Sequence, residues 1–180
     1  ESSFVGGFPY TTPEIFEVVE SVLANEVGPK VAQALMQGGI KAQAMSGRTL
    51  PTLLARKRTT LIDGTAVDLG QVGDVVRVDT AELLALVAKG IVPVVAPISC
   101  DEGNGGLNVN ADLAAAAIAG ALDASSLIIM TDVAGIYRNW PDESSLINAI
   151  DAQELNEIKG SFAQGMAPKV QAALDAITGG

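Results

Sequence analysis

Apolar positions along this chain follow helical spacing in some stretches and strand alternation in others. Ile15, Phe16, Val18, Val19, Val22 and Leu23 recur every three or four residues, which predicts an amphipathic helix with a broad apolar face. Thr11-Thr12-Pro13-Glu14 supplies its start, with a Thr cap, a Pro in the first turn and a Glu placed for a capping box. Val27, Val31, Ala34 and Leu35 continue the pattern past Gly28-Pro29, a pair expected to break or bend the helix, and Gly38-Gly39 end it. The width of the face also fits a dimer-forming helix. Ile40 to Met45 alternates as a short strand, and Ser46-Gly47-Arg48 follows as a turn. The basic run Arg56-Lys57-Arg58 within Leu53 to Thr60 reads as a solvated strand edge rather than a binding patch. Leu61 to Thr65 reads as a hairpin on an Asp63-Gly64 turn. Val75 to Val78 predicts a strand. Asp79-Thr80 caps a helix through Glu82 to Ala88, closed by Gly90. Ile91 to Ile98 predicts one continuous strand whose prolines, Pro93 and Pro97, restrict ladder partners to one side for part of its length.

The stretch from Leu107 to Tyr137 organises the remainder. It reads as a loop carrying Asn108, Asn110 and Asp112, an alanine-rich helix from Leu113 to Leu122, a buried strand from Leu127 to Met130, and a glycine turn at Thr131 to Gly135. A helix so rich in Ala, Leu and Ile is expected to be buried over most of its surface. Its unpaired N–H groups suit a phosphate. Beyond it, Ser145-Leu146-Ile147 predicts a short edge strand and Asp151 to Ile158 an amphipathic helix. Ser161 to Lys169 predicts a small-residue loop, which runs into a last helix over Val170 to Ile177.

Composition narrows the chemistry. Among 180 residues 48% are apolar and only 4% aromatic, so the core is aliphatic, as in α/β proteins with buried parallel strands. A net charge of −10 argues against nucleic-acid and anionic-membrane partners, which recruit clustered Lys and Arg. The lone Cys100 and the lack of histidine exclude an intramolecular disulfide, a Cys/His metal cluster, and Ser-His or Cys-His catalysis. No apolar run approaches a membrane span. A soluble, cytoplasmic protein is the expectation, and the chain reads as a fragment.

Three polar loops lie at plausible cleft positions: Asn108 to Asp112, Thr131 to Tyr137, and Ser161 to Lys169. A Lys opening a helix beside glycine makes a good phosphoryl clamp, because a point charge can follow a moving group. The residues by themselves thus point to a nucleotide or phosphate site, without a Walker or Rossmann glycine signature.

Asn108-Val109-Asn110-Ala111-Asp112, then Thr131-Asp132-Val133-Ala134-Gly135, then Gly165-Met166-Ala167-Pro168-Lys169-Val170, in that order, resembles the amino acid kinase superfamily. Within it the chain looks like the acetylglutamate kinases. Thr12-Pro13-Glu14, Val67 to Val75 and Ile91 to Val95 extend the likeness over essentially the whole chain. Tyr137 to Asp142 is similar to the actinobacterial branch. The resemblance implies a three-layer αβα sandwich with a mostly parallel central sheet. It implies an acyl-substrate and dimerisation lobe over 1–123 and a nucleotide lobe over 124–180, both incomplete. It also implies ATP-dependent phosphorylation of the side-chain carboxylate of N-acetyl-L-glutamate, in arginine biosynthesis. A carboxylate is already ionised at neutral pH, so such a reaction needs no general base. By the family pattern Lys169 stabilises the transferring phosphoryl group and Asp112 orients the catalytic lysines. Asn108 and Asn110 bind the acyl substrate. Asp132, Val133, Ala134, Gly135, Ile136, Tyr137, Ser161, Phe162 and Ala163 line the nucleotide site. ATP carries Mg²⁺ mainly on its phosphates, with no metal ligand from the chain, and the protein is a homo-oligomer pairing through the 12–35 helix, possibly hexameric when complete.

Three departures accompany the likeness. The family's upstream Lys-Gly-Gly strand, its triple-glycine loop and its final strand are not in the sequence, so these 180 residues are expected to turn over little by themselves. Pro9 stands where family members carry a substrate-gripping Arg. Ser46 to Thr49 and Gln164 also differ from the usual residues. Two alternatives follow: a kinase of another acylated amino-acid carboxylate, such as carrier-linked aminoadipate or glutamate, or a catalytically dead homologue serving as a regulatory binding module.

Overall fold

A computed structural model describes residues 4–49, 52–162 and 166–178. The chain opens with a hairpin of β1 (Phe4–Val5) and β2 (Phe8–Pro9). Gly6 and Gly7 form its turn at φ 58° and 86°, a backbone region that favours glycine. Helix α1 (Pro13–Val22) starts as its sequence demands: the Thr12 hydroxyl accepts from the Ile15 N–H at 3.2 Å. Gly28-Pro29 does not break the helix. The backbone widens into a π-helical stretch, Leu23–Val27, and continues as α2 (Gly28–Gln37), with the Gly28 N–H donating to the Leu23 carbonyl. Proline's ring clashes with the carbonyl four residues back, and one wide turn relieves that clash without ending the helix.

Strand β3 (Ala42–Ser46) follows, then β4 (Leu53–Lys57), β5 (Val72–Val78), α3 (Ala81–Ala88) and β6 (Val92–Ala96). β3 and β6 pair in parallel, from Ala42 opposite Val92 to Ser46 opposite Ala96. On one face Phe16 of α1 packs against Ala96, backed by Val19 and Leu23. On the other, Leu83 and Leu86 of α3 pack on Met45, together with Ile118 and Leu122 of the next helix. Helices thus cover both faces of a parallel pair, the α/β layering that the sequence implied. The chain then makes β7 (Ile98–Cys100), β8 (Gly106–Val109) and α4 (Ala111–Ala121). β4, β5, β8 and β7 close into a small barrel in that order, filled by Leu53, Ala55, Leu107 and Val109. Past residue 130 the chain is mostly irregular until α5 (Ala152–Ile158), capped by Asp151, and α6 (Ala167–Thr178), which lies along α4. Leu155, Val170 and Leu174 form the core there, with Ile136 and Phe162 packed against it.

Several sequence expectations need correction. The apolar run Ile91 to Ile98 divides at Pro97, which lacks a donor for the ladder, into β6 in the parallel pair and β7 in the barrel. Asn108 belongs to a strand, since β8 returns antiparallel to β7 with Ile98 opposite Asn108. Arg56 and Lys57 are exposed where β4 pairs with β5 alone, as a solvated edge would be, whereas Arg58 just beyond the strand is nearly enclosed. Leu127 to Met130 keeps strand-like alternation, with Ile128 81% and Met130 92% exposed, yet forms no strand, because nothing among the described residues pairs with its backbone. Ser145 to Ile147 likewise makes one bridge, Tyr137 opposite Leu146, beside a 3-10 turn. Helix α4 buries only Ala114 and Ala116 fully, less than its composition suggests. No helix among the described residues is long and apolar enough to cross a membrane.

Candidate functional site

The first turn of α4 is built by Asn110, whose Oδ1 accepts from the N–H groups of Asp112 and Leu113 at 3.0 and 3.1 Å. That cap directs the free end of the helix past Asp112, whose carboxylate is favoured by the helix dipole. Lys169 stands in the first turn of α6, where the same dipole disfavours a cation. Its Nζ donates to Asp112 Oδ2 at 3.0 Å across 57 residues of sequence, with side-chain exposures of 27% and 21%. A lysine held against its local electrostatic preference, beside two helix N-termini, forms a charge cluster that a phosphoryl group could enter. The structure therefore brings together the two residues to which the resemblance gave catalytic roles.

Asn108 sits one turn away on β8. Its N–H donates to the Gln71 carbonyl at 2.8 Å, and its Nδ2 lies 3.4 Å from the Thr11 hydroxyl. Thr11 is fully buried, and its backbone bonds to Leu69 and Gln71 at 3.0 and 2.6 Å. Gly70, at φ 72°, makes that approach possible: a Cβ there would come 2.1 Å from the Thr11 carbonyl oxygen. Asp68 accepts the Gly70 N–H at 3.0 Å, which holds its carboxyl below the usual range, aided by Lys57. Asn110 serves as the helix cap, so its Oδ1 is committed to the backbone.

The expected nucleotide-site residues are arranged differently. Asp132 is exposed and accepts from the Thr131 hydroxyl at 3.2 Å. Val133, Ala134 and Gly135 follow in an irregular segment. Ile136 turns into the cluster around Leu155 and Val170, and its carbonyl accepts from Ile147 at 2.8 Å. Tyr137 stacks edge-on with Trp140, ring centres 5.1 Å apart. The Ser161 hydroxyl donates to Ile158 at 2.7 Å, and Phe162 joins the same apolar cluster as Ile136. Ala163 lies outside the described residues, as do Gln164 and Gly165. Ile136 and Phe162 thus tie both loops to the apolar cluster that Leu155 of α5 forms with Val170 and Leu174 of α6. A cavity of about 270 Å³ lies beside Phe162, between Leu61, Ile62 and Asp63 on one side and Lys159 and Gln171 on the other.

Sequence reasoning missed Arg58, Asp74 and Thr11. Arg58 stacks over the Phe8 ring, with its guanidinium carbon 4.0 Å from the ring centre, and pairs with Asp74. The one available signal was a cation three residues past an apolar strand, and it was indistinguishable from a solvated edge.

The chain is similar to known proteins over its whole length. A sequence model of the amino acid kinase family matches residues 1–180. The acetylglutamate kinase of Saccharopolyspora erythraea is 45% identical over 180 residues, covering 100% of this chain and 59% of that protein. That of Leifsonia xyli subsp. xyli is 45% identical over 182 residues, covering 100% and 60%. The crystal structure of smu.665 from Streptococcus mutans UA159 superposes with a TM-score of 0.85 at 25% identity, covering 100% of this chain and 70% of the other. The chain thus spans well under two thirds of the length of the curated relatives it matches.

Proposed function

Given that the chain belongs to the amino acid kinase family, we propose that the protein it forms part of is an acetylglutamate kinase. It transfers the terminal phosphoryl group of ATP to the side-chain carboxylate of N-acetyl-L-glutamate. The single observation carrying this reading is the Lys169–Asp112 contact at 3.0 Å between two helix N-termini, in a chain 45% identical to acetylglutamate kinases. ATP supplies the phosphoryl group and carries Mg²⁺ on its phosphates. Lys169 cancels the charge that spreads over the phosphoryl oxygens in flight. Asp112 fixes the ammonium group against the end of α4. Asn108 offers its amide to the acyl acceptor, with Asn110 shaping the turn between them. Backbone of the 132–137 segment and of Ser161-Phe162 borders the nucleotide, while Ile136 and Phe162 hold those loops to α6. Residues 1–123 then carry the acyl-substrate lobe and 124–180 the nucleotide lobe, in a soluble, cytoplasmic enzyme of arginine biosynthesis.

The same reading includes a homodimer. Val18, Val22, Val27 and Val31 form an exposed stripe on the long helix, each at least 39% accessible. Their spacing of four, five and four residues stays on one side because the π-helical stretch absorbs the extra residue between Val22 and Val27.

The test uses the full-length protein. ATP-dependent formation of an acyl phosphate from N-acetyl-L-glutamate is trapped by hydroxylamine as a hydroxamate, against other N-acyl amino acids as acceptors. A hydroxamate only from a different acyl acid would shift the substrate; none from any acceptor would leave a binding protein.

A further inference from the structure

The segment Ser46 to Thr49, one of the departures from the family's usual residues, carries a cation that no role described so far uses. Its turn is tied down: the buried Ser46 hydroxyl accepts from the Thr49 N–H at 3.1 Å and bonds to the Thr49 hydroxyl at 2.7 Å. From that turn Arg48 reaches α1, where Nη1 donates to both carboxylate oxygens of Glu20 at 3.0 and 2.8 Å. Nη2 lies 3.5 Å from the Asn104 carbonyl, in the turn between β7 and β8. The guanidinium carbon stands 5.8 Å from the centre of the Phe16 ring. One side chain thus spans partners 28 and 56 residues away in sequence.

These contacts bear on β8, the strand that carries Asn108. Gly106 opens β8 directly against Phe16 and Arg48: a Cβ there would stand 2.2 Å from the Phe16 ring and 3.1 Å from Arg48 Nη1. Further along β8 the Asn108 amide meets the hydroxyl of Thr11, just before α1. The α1 region therefore grips β8 at two points, through Phe16 and through Thr11. The second is the weaker. At 3.4 Å it is near the limit of a hydrogen bond, so a small slip of α1 along β8 loses it. The first is secured by the Glu20–Arg48 pair, one turn beyond Phe16 on α1. With 31% and 28% of the two side chains exposed, that pair adds little to overall stability, and what it supplies is register.

We propose that Arg48 is a positioning residue for the acyl acceptor: by holding Glu20 and the β7–β8 turn it fixes α1 against β8 and so aims the Asn108 amide. The inference rests on the proposed kinase activity and adds to it a residue that acts through another. Arginine suits the role better than lysine, because its rigid fork serves Glu20 with one nitrogen and the Asn104 carbonyl with the other. Since Arg48 works through Asn108, its loss weakens use of the acceptor and spares the nucleotide, which is proposed to lie along the 132–137 segment and Ser161-Phe162.

The experiment measures hydroxamate formation by the full-length enzyme, with N-acetyl-L-glutamate and ATP varied in turn. Arg48→Met lowers kcat/KM for acetylglutamate roughly tenfold, short of the ~100-fold that a misplacement of about 1 Å costs, while the KM for ATP stays constant. Arg48→Lys keeps the charge without the fork and recovers only part of the loss. In an Asn108→Ala background the same Arg48→Met change has no further effect, because the group it aims is gone. Glu20→Gln keeps the shape of its side chain and gives a smaller loss of the same kind. It serves as the second test if Arg48→Met does not fold. Three results overturn the inference: equal loss toward both substrates, an unchanged kcat/KM in Arg48→Met or Glu20→Gln, or a full Arg48→Met effect in the Asn108→Ala background. Wild type that phosphorylates no acceptor refutes the kinase reading instead, and this proposal with it.

Discussion

Replacing Asp112 with Asn separates what the Lys169–Asp112 contact does for stability from what it does for chemistry. The substitution keeps the shape of the side chain and leaves the Asn110 cap on the backbone N–H groups of residues 112 and 113 intact. At 3.0 Å the two charges attract by about 1.4 kcal/mol in a water-like surrounding and about 5.5 kcal/mol at an effective dielectric of ~20. Both side chains keep more than a fifth of their surface in solvent, and ion pairs of that kind retain about 0.2–1 kcal/mol after desolvation and ordering. Loss of a favourable charge at the α4 N-terminus adds about 0.3–1 kcal/mol. The expected destabilisation is therefore about 0.5–2 kcal/mol, a shift of a few degrees in Tm for a protein of this size. Turnover should fall far more, by about 100- to 1000-fold, because a lysine no longer fixed in place stops meeting the moving charge. The assay pairs hydroxamate formation by full-length Asp112→Asn with its thermal unfolding curve. Turnover within threefold of wild type, or a fall in Tm large enough to explain the lost activity, would refute the reasoning.

Further outcomes follow from the same geometry. Gly70→Ala forces a Cβ to within 2.1 Å of the Thr11 carbonyl at a φ of 72°, so urea unfolding should show a loss of at least about 2 kcal/mol. Asp68, whose carboxyl the Gly70 N–H and Lys57 hold below the usual 3.8, contributes stability that is present above that value and is lost as pH falls through its lower folded value. Asp68→Asn should accordingly be less stable than wild type near neutral pH, and the two unfolding curves should converge in acid. Val22→Asp puts a charge into the exposed stripe proposed to pair two copies, and sedimentation of the full-length protein should report dimer for wild type and monomer for the variant; an unchanged dimer would place the interface elsewhere.

Local rules carried much of the fold. Thr12, Asp79 and the Asp63-Gly64 turn each act through neighbours within a few residues, and each does what its sequence says. Leu127 to Met130 was legible as extended chain but not as a lone segment, since a strand depends on partners that no local pattern contains. Pro97 divides an apolar run between two sheets, a choice set by the barrel rather than by the run itself. The Lys169–Asp112 pair joins positions 57 residues apart, and only the ordered motifs of a resemblance could connect them beforehand. Arg58 illustrates the opposite limit: its neighbours in sequence are solvated, and burial comes from Phe8 and Asp74, which arrive from different strands.

The most direct test of the central claim is the hydroxamate yield of the full-length protein, wild type against Lys169→Ala, with ATP and N-acetyl-L-glutamate at saturation. The account predicts ready turnover by wild type and at least a 100-fold lower rate in the variant, on the order of one lost transition-state contact or more. Near-normal turnover by Lys169→Ala would contradict it.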